Sequence, residues 1–410
     1  MAEDKPIRLL IVGFGKSEVT FINRLITGLA AQGVYITIAS AQRPMFQTTQ
    51  SENIDWLWAP AWQDAPLLRV FRVLWLFFKG YPFKRLPWLR GLLRVDKTPL
   101  GRFLTLYRYL PFIRGQWDVF YFPWNSTAVD YLGLFDLGIP VVLSCRGSQV
   151  NINPFLSGQQ KYVELLRTTF EKAAAVHCVS QDILSTAVTL GLDPKKVVVI
   201  HPAVDPSIFF PDSVPDEDHP VRLITTGTLI WRKGYEYLLL ALRKLKDRGI
   251  TAVLHIIGDG PERNRILFTA QDLDISSQVV LHGKLSTTDV VGQLQQADIF
   301  VLSSLSEGIS NAVLEAMSCG LPVVATDCGG MREVIQDGVE GYVVPLREPG
   351  DMAEKLELLT TRRELRDQLG ANARKRVLAD FSLDHQAQEF YRLFSETKKN
   401  QQIYTNKDQR

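Results

Sequence analysis

Glu307 and Glu315 stand eight residues apart in SEGISNAVLEAMSCGLP, residues 306–322. Ser310 can cap a helix beginning at Asn311, which leaves Glu307 in the preceding loop and carries Glu315 into the second turn; Gly320 and Pro322 then stop the helix. At ~1.5 Å rise per residue the two carboxylates lie roughly 12 Å apart, too far for the about 5–9.5 Å of a hydrolytic pair. The separation suits an extended ligand, one carboxylate accepting hydrogen bonds from a sugar and the other from a ribose. The free amides of the helix start lie between them and can face a diphosphate. The plainer alternative is a helix-start charge and a surface glutamate.

Two cations, Arg232 and Lys233, sit in GTLIWRKG (residues 227–234), just after an apolar run that reads as a strand. A loop at the carboxyl end of a parallel strand is where phosphates bind, although a solvated basic turn would look the same. IGDGPERNR (257–265) repeats the pattern after the next run. GFGKSEVTF (13–21) follows the first strand, but Leu10 stands where a P-loop needs glycine and Glu18 where a dinucleotide fingerprint does. It is either an anion-approaching glycine loop or an ordinary turn. None of the six histidines forms an HxH or HxxxH pair and no DxD occurs, so neither a bound catalytic metal nor a cofactor is expected.

The elements that must hold these residues repeat twice. Apolar runs at 7–12, 35–39, 119–122, 140–144, 176–179 and 197–200 read as buried strands, with Phe21, Ile22, Leu25 and Leu29 at helical spacing and Gly33 ending that helix. The alternation restarts with strands at 221–226, 252–258, 279–282, 298–302 and 322–325, a helix over 235–247, and a capping box at Ser286 to Asp289. Such interleaving predicts an α/β chain of two tandem doubly wound domains. The acidic, proline-bearing PDSVPDEDHP (211–220) reads as the linker, giving an N-terminal domain over 1–210, a C-terminal domain over 221–380, and a tail over 381–410 that can pack back on the first domain.

At 410 residues, 46% hydrophobic and 22% charged, the chain has the balance of a globular protein, and a net charge of +2 favours neither nucleic acid nor membrane on average. Four scattered cysteines without a CxxC suggest reduced thiols, and the N-terminus lacks a basic signal-peptide region. The apolar stretch 70–78 is interrupted by Arg72 and is far short of the ~20 residues of a membrane span. A cytoplasmic location is expected. Within 67–114, however, eleven cations face the single acid Asp96, interleaved with aromatics including Phe71, Trp75, Trp88 and Tyr107. That mixture suits peripheral attachment to an anionic bilayer, or else a core whose cations form a solvated face.

GTLIWRKG, IGDGPER, HGKLS, ADIFVLSSLSEGISNAVLEAMSCGLPVVATDCGG and EGYVVP, in this order and spacing, resemble the retaining glycosyltransferases of family 4, which have the GT-B fold. The likeness is strong over about residues 170–380 and weaker before them. VSQDILSTAVTLGLDPKKVVVIHPAVDPSIF resembles the family segment leading into the donor domain, and SEVTFINRLITGL is similar to members that build exopolysaccharides. Glu307 and Glu315 match the family's E-x7-E motif. The resemblance implies that Glu307 contacts the transferred sugar, Glu315 the ribose, and Lys233, with Arg232 beside it, the diphosphate. Gly15 would bring the N-terminal loop to the phosphates, while Gly283, Lys284 and Leu285 offer backbone to the base. Asn311, Ala312, Val313 and Leu314 would aim amides at the phosphates. Gly227, Thr228, Gly258 and Gly308 complete the implied donor site, and Lys16, Trp124 and Arg146 the acceptor side.

Two departures from the family pattern stand out. Thr228 occupies a position where the family usually carries arginine, leaving the charge to Arg232 or Arg146. The histidine-bearing segments of the family's first domain read DVFYFPWN (118–125) and SCRGSQ (144–149) here. The implied function is metal-independent transfer of a hexosyl unit, with retention, from a UDP- or GDP-sugar to a polysaccharide or lipid-linked saccharide, with no nucleic-acid partner. The rivals are a non-catalytic nucleotide-sugar-binding partner protein and a nicotinamide dehydrogenase, the latter opposed by the broken GxGxxG.

Overall fold

The structure, a computed structural model, describes residues 6–13, 20–43, 52–60, 65–78, 86–95, 98–113, 115–212 and 220–407. The chain divides into two compact units. One comprises Met1–Cys178, Leu184–Ile200 and Ala387–Arg410; the other comprises Val179–Ile183 and His201–Gln386.

In the first unit, β1 (Arg8–Val12), β2 (Tyr35–Ser40), β3 (Ile54–Trp58), β4 (Val119–Phe122), β5 (Val141–Cys145), β6 (Ala175–Cys178) and β7 (Val197–Val199) form one sheet. Its order is β3-β2-β1-β4-β5-β6-β7, with parallel pairing throughout. Every residue of β4 and β5 is buried, as expected for parallel strands covered on both faces. Helix Thr20–Ala31 buries Ile22, Leu25, Ile26 and Leu29 against β1 and β2. Gly33 then turns the chain at φ +80°, a conformation that costs other residues strain. β3 escapes a reading by apolar runs because Asp55 and Trp56 are exposed on this edge strand; the Trp56 indole donates to Ser40 Oγ at 3.0 Å.

Farther along the same face, over β4 to β6, the sheet is sealed by the far end of the chain. In helix Leu383–Lys407, Phe390 and Phe394 lie edge-on to Tyr121 at centroid separations of 5.7 and 5.3 Å, and Phe390 lies 4.7 Å from His177. Beneath the rings runs a buried polar chain. Tyr121 Oη and Ser144 Oγ are 2.7 Å apart, Ser144 Oγ and His177 Nδ1 2.7 Å, and His177 Nε2 lies 2.7 Å from the Ile200 carbonyl. A carbonyl can only accept, so Nε2 carries the proton, Nδ1 accepts from Ser144, and Ser144 accepts from Tyr121.

The second unit carries β8 (Val221–Thr226), β9 (Ala252–Ile257), β10 (Val279–Gly283), β11 (Ile299–Leu302), β12 (Val323–Thr326) and β13 (Gly341–Val344), in the order β10-β9-β8-β11-β12-β13. Alternate residues feed two cores. Leu223, Leu254, Ile256, Ile299 and Val301 face one, with Leu238, Leu239, Leu242 and Leu245 of helix Tyr235–Asp247. Ile224, Phe300, Leu302, Val323 and Ala325 face the other, with Val313, Leu314 and Met317 of helix Asn311–Ser318. The period of two along each strand is what divides them. Ser286 caps helix Thr287–Gln295 by accepting from the Asp289 amide.

The four cysteines are reduced and buried; Cys145 and Cys178 pair in register on β5 and β6. Burial pushes the Cys319 and Cys328 thiols up to about 12. Among the described residues no helix is long and apolar enough to cross a membrane. The basic segment forms helices Pro66–Phe78, Leu86–Val95 and Pro99–Tyr109, with Tyr107, Tyr109 and Phe112 in the core and Phe71 and Trp75 exposed. Lys84, Arg85 and Asp96 lie outside the described residues, as does linker segment 213–219.

Candidate functional site

The loops leaving the carboxyl ends of the second sheet are hydrogen-bonded to one another. The Gly227 amide donates to the Ile257 carbonyl at 2.9 Å, the Leu229 amide to Asp259 at 3.0 Å, and the Gly258 amide to Gly283 at 2.8 Å. The contact between the first two loops needs glycine. A Cβ on Gly258 would sit 1.8 Å from the Gly227 carbonyl oxygen, and one on Gly260 2.5 Å from that of Leu229. The GTLIWRKG and IGDG segments therefore make one continuous floor.

Lys233 rises from this floor. Residues Trp231–Lys233 form a single 3-10 turn, closed by Gly234 at φ +60°. Ser303 Oγ donates to the Lys233 carbonyl at 2.8 Å and the Leu305 amide to that of Arg232 at 2.7 Å, binding the turn to the loop after β11. The Lys233 ammonium donates to Glu307 Oε1 at 2.6 Å, with side chains 14% and 15% exposed. Ser304 Oγ donates to the same oxygen at 3.0 Å. Among the described residues Glu307 Oε2 makes no hydrogen bond, so one carboxylate oxygen is anchored and the other is open. Arg232 Nε is buried and also lacks a partner among the described residues. A buried guanidinium nitrogen without an acceptor is costly unless an anion completes the site.

The Glu307–Gly308 loop is itself clamped. The Gly330 amide donates to the Gly308 carbonyl at 2.6 Å, and a Cβ on Gly329 would meet the Glu307 carbonyl oxygen at 2.3 Å. Next in the chain comes helix Asn311–Ser318, whose first residues are Asn311, Ala312, Val313 and Leu314. Ser310 holds the N-cap position, but its hydroxyl makes no capping bond, contrary to the expectation from sequence. That leaves the first amides of the helix without a side-chain acceptor. Glu315 is half-buried in the second turn, as the spacing predicts.

Thr228 is exposed on the floor, Lys284 is exposed and Leu285 half-buried after β10. Tyr235, which motif reading passed over, lies under the site: its hydroxyl donates to the Gly227 carbonyl at 3.4 Å. Burial, then the charge of Glu307, push its phenol well above the usual range, keeping it a neutral donor. Ser304, Gly329 and Gly330 were likewise missed as individual residues, although all fall inside the quoted motifs. Gly15 and Lys16 lie outside the described residues. In the first unit, Arg146 and Trp124 hold the N-cap positions of helices Gly147–Asn151 and Asn125–Asp130. The Arg146 guanidinium donates to the Pro123 carbonyl at 3.1 Å and lies 3.5 Å from Tyr121 Oη, at the head of the buried polar chain. Among the described residues no three His, Cys, Asp or Glu side chains converge as a metal site would require.

The chain matches two family descriptions, "Glycosyltransferase Family 4" over residues 19–208 and "Glycosyl transferases group 1" over residues 209–376. The chain belongs to glycosyltransferase family 4. WcaL of Salmonella typhimurium, a glycosyltransferase named for colanic acid biosynthesis, is 25% identical over 395 residues, covering 92% of this chain and 96% of WcaL. A Campylobacter jejuni N-acetylgalactosaminyltransferase, named for an undecaprenyl-diphosphate-linked acceptor, is 27% identical over 290 residues, covering 68% of this chain and 72% of its own. Among solved structures, a Rickettsia africae glycosyltransferase superposes with TM-score 0.71 at 17% identity, over 97% of this chain and 100% of that one. Anabaena HepE in complex with UDP-glucose gives 0.69 at 15% identity, over 95% and 100%. These neighbours establish the GT-B fold, and the family assignment makes the protein a glycosyltransferase.

Proposed function

We propose that this family 4 enzyme transfers a hexosyl unit from a UDP- or GDP-sugar to a polysaccharide or lipid-linked saccharide, without a metal and with retention. The observation that carries the donor reading is the half-used Glu307 carboxylate. Oε1 is fixed by Lys233 and Ser304 while Oε2 is open to accept from a sugar hydroxyl. An anchored acceptor of this kind needs no reorganisation when a positive charge develops on the sugar ring.

The diphosphate is assigned to the cations beside it. Arg232 Nε needs an acceptor, Lys233 can swing from Glu307 to a phosphate oxygen, and the uncapped amides at Asn311 to Leu314 add donors. Together they would stabilise the leaving nucleoside diphosphate by charge and hydrogen bonds alone. Glu315 is assigned to the ribose, and the backbone at Gly283, Lys284 and Leu285 to the base. The names of the relatives, colanic acid synthesis for WcaL and an undecaprenyl-diphosphate acceptor for the Campylobacter enzyme, support the acceptor class. UDP-glucose bound to HepE supports a uridine donor.

A thermal-shift panel of nucleotides and nucleotide sugars, followed by donor hydrolysis without acceptor, tests the reading. A ligand at 100 times its Kd stabilises the fold by about 2.7 kcal/mol. Failure of every UDP and GDP compound to stabilise would overturn the donor assignment. Stabilisation without release of sugar, with or without acceptor, would replace the enzyme with a non-catalytic nucleotide-sugar binder.

A further inference from the structure

Helix Pro66–Phe78, PLLRVFRVLWLFF, is built inside out. Its arginines turn toward the protein: the Arg72 guanidinium lies 4.7 Å from the Trp58 ring centroid and that of Arg69 5.9 Å from the Tyr107 ring. Val73 and Leu76 are buried on the same side. Leu67, Val70, Phe71, Leu74 and Trp75 are exposed, Leu67 by 86% and Phe71 by 66%. Their spacing of three and four residues places them on one stripe, so the face that should be polar in water is wholly apolar. An exposed apolar stripe of this kind marks a surface that something else covers.

The surrounding charge selects the occupant. The described residues between 66 and 113 include no Asp or Glu, and Arg90, Arg94 and Arg102 are exposed on the neighbouring helices. A second copy would bring the same cations against these, whereas an anionic bilayer offers acyl chains to the stripe and headgroups to the arginines. The aromatic members, Phe71 and Trp75, are of the kind that settles at a membrane interface. We propose that helix Pro66–Phe78 lies in the surface of an anionic bilayer with its Leu67–Trp75 stripe inserted, flanked by headgroup contacts from Arg90, Arg94 and Arg102. Arg69 and Arg72 are two of the eleven cations of the basic segment, but they do not reach for headgroups. Their stacking on Trp58 and Tyr107 instead makes them the side chains that hold the helix to the protein, and it is this that turns the stripe outward.

The test uses the full chain and vesicles of phosphatidylcholine with or without phosphatidylglycerol. Wild type should sediment with the anionic vesicles and much less with the neutral ones. Leu67→Glu with Phe71→Glu changes two solvated positions, so melting should be unaltered while vesicle partitioning falls at least ~10-fold. Arg90→Glu with Arg94→Glu should remove the preference for anionic lipid. Brominated lipid should quench the bound wild type more than a Trp75→Phe variant that still binds. Equal partitioning by the folded Leu67→Glu/Phe71→Glu protein would overturn the proposal. So would quenching that is the same with and without Trp75, or a lipid-free wild-type dimer that this double variant converts to monomer.

Discussion

Replacing Glu307 by glutamine removes one charge and almost no volume, which makes it the sharpest probe of the donor site. The new side-chain oxygen can still accept from Lys233 and Ser304, so the geometry at Oε1 should survive. At 2.6 Å and an effective dielectric of about 20, the Lys233–Glu307 attraction is about 6 kcal/mol before desolvation. Both side chains are about six-sevenths buried, so desolvation cancels much of this, and a net coupling of about 1–3 kcal/mol remains. Glu307→Gln should therefore cost the ligand-free protein about 1–2 kcal/mol, a drop of a few degrees in Tm. The effect on chemistry should be larger. An acceptor used in the transition state is worth about 2.7 kcal/mol or more, so turnover should fall at least ~10²-fold. Nucleotide affinity should move the other way or not at all, because a neutral amide competes less strongly than a carboxylate for the Lys233 ammonium. Melting curves, UDP and GDP titrations, and single-turnover sugar release measure the three quantities separately. Unchanged turnover would remove Glu307 from the reaction; nucleotide affinity falling in step with turnover would make it part of the diphosphate fit instead.

Lys233→Ala should weaken nucleotide diphosphate binding by ~10-fold or more in the same titrations, whereas EDTA should leave activity intact; loss on chelation restored by magnesium or manganese would contradict the proposed charge scheme. Gly258→Ala places a Cβ 1.8 Å from the Gly227 oxygen, so the loop floor must break: a loss of about 3 kcal/mol or more in chemical denaturation is expected, and a near-normal midpoint would refute the contact. His255, whose Nδ1 lies 2.9 Å from His282 Nε2, is pushed down to about 4 by burial, then by His282 and Arg222. Because the folded protein resists protonation there, stability should decline as pH falls through about 6.5 toward 4. The group is half-exposed, which limits the loss to about 1–2 kcal/mol, and His255→Gln should flatten this part of the pH profile.

Much of the architecture was legible because parallel strands covered on both faces are continuous apolar runs. β4, buried at every position, was readable to the residue. β3 was not, because an edge strand with Asp55 and Trp56 turned to solvent has no such run. At the site, the eight-residue interval between Glu307 and Glu315 was enough to place the second carboxylate in the helix. What spacing could not supply was contact across the sheet. Lys233 and Glu307 are 74 residues apart, and only the closure of the β8 and β11 loops brings them to 2.6 Å. The Ser310 cap failed for a similar reason: residue type permits the bond, but the local geometry does not make it. In the basic segment, composition found the mixture of cations and aromatics, while the direction each side chain faces, reversed in helix Pro66–Phe78, depends on the rings of Trp58 and Tyr107 beneath it.

The seal over the first sheet comes from Phe390 and Phe394, and this has a bearing on how the protein is made. A ribosome releases β7, the last strand of that sheet, roughly 190 residues before it releases the phenylalanines that cover Tyr121 and His177. At about 5–20 residues per second the nascent sheet waits some 10–40 s with this part of its face uncovered. Until then Tyr121, Ser144 and His177 lack the rings that bury them in the finished fold. The first half of the enzyme is thus the first to be synthesised and the last to be finished, and a stop before codon 390 would be felt in the half translated first.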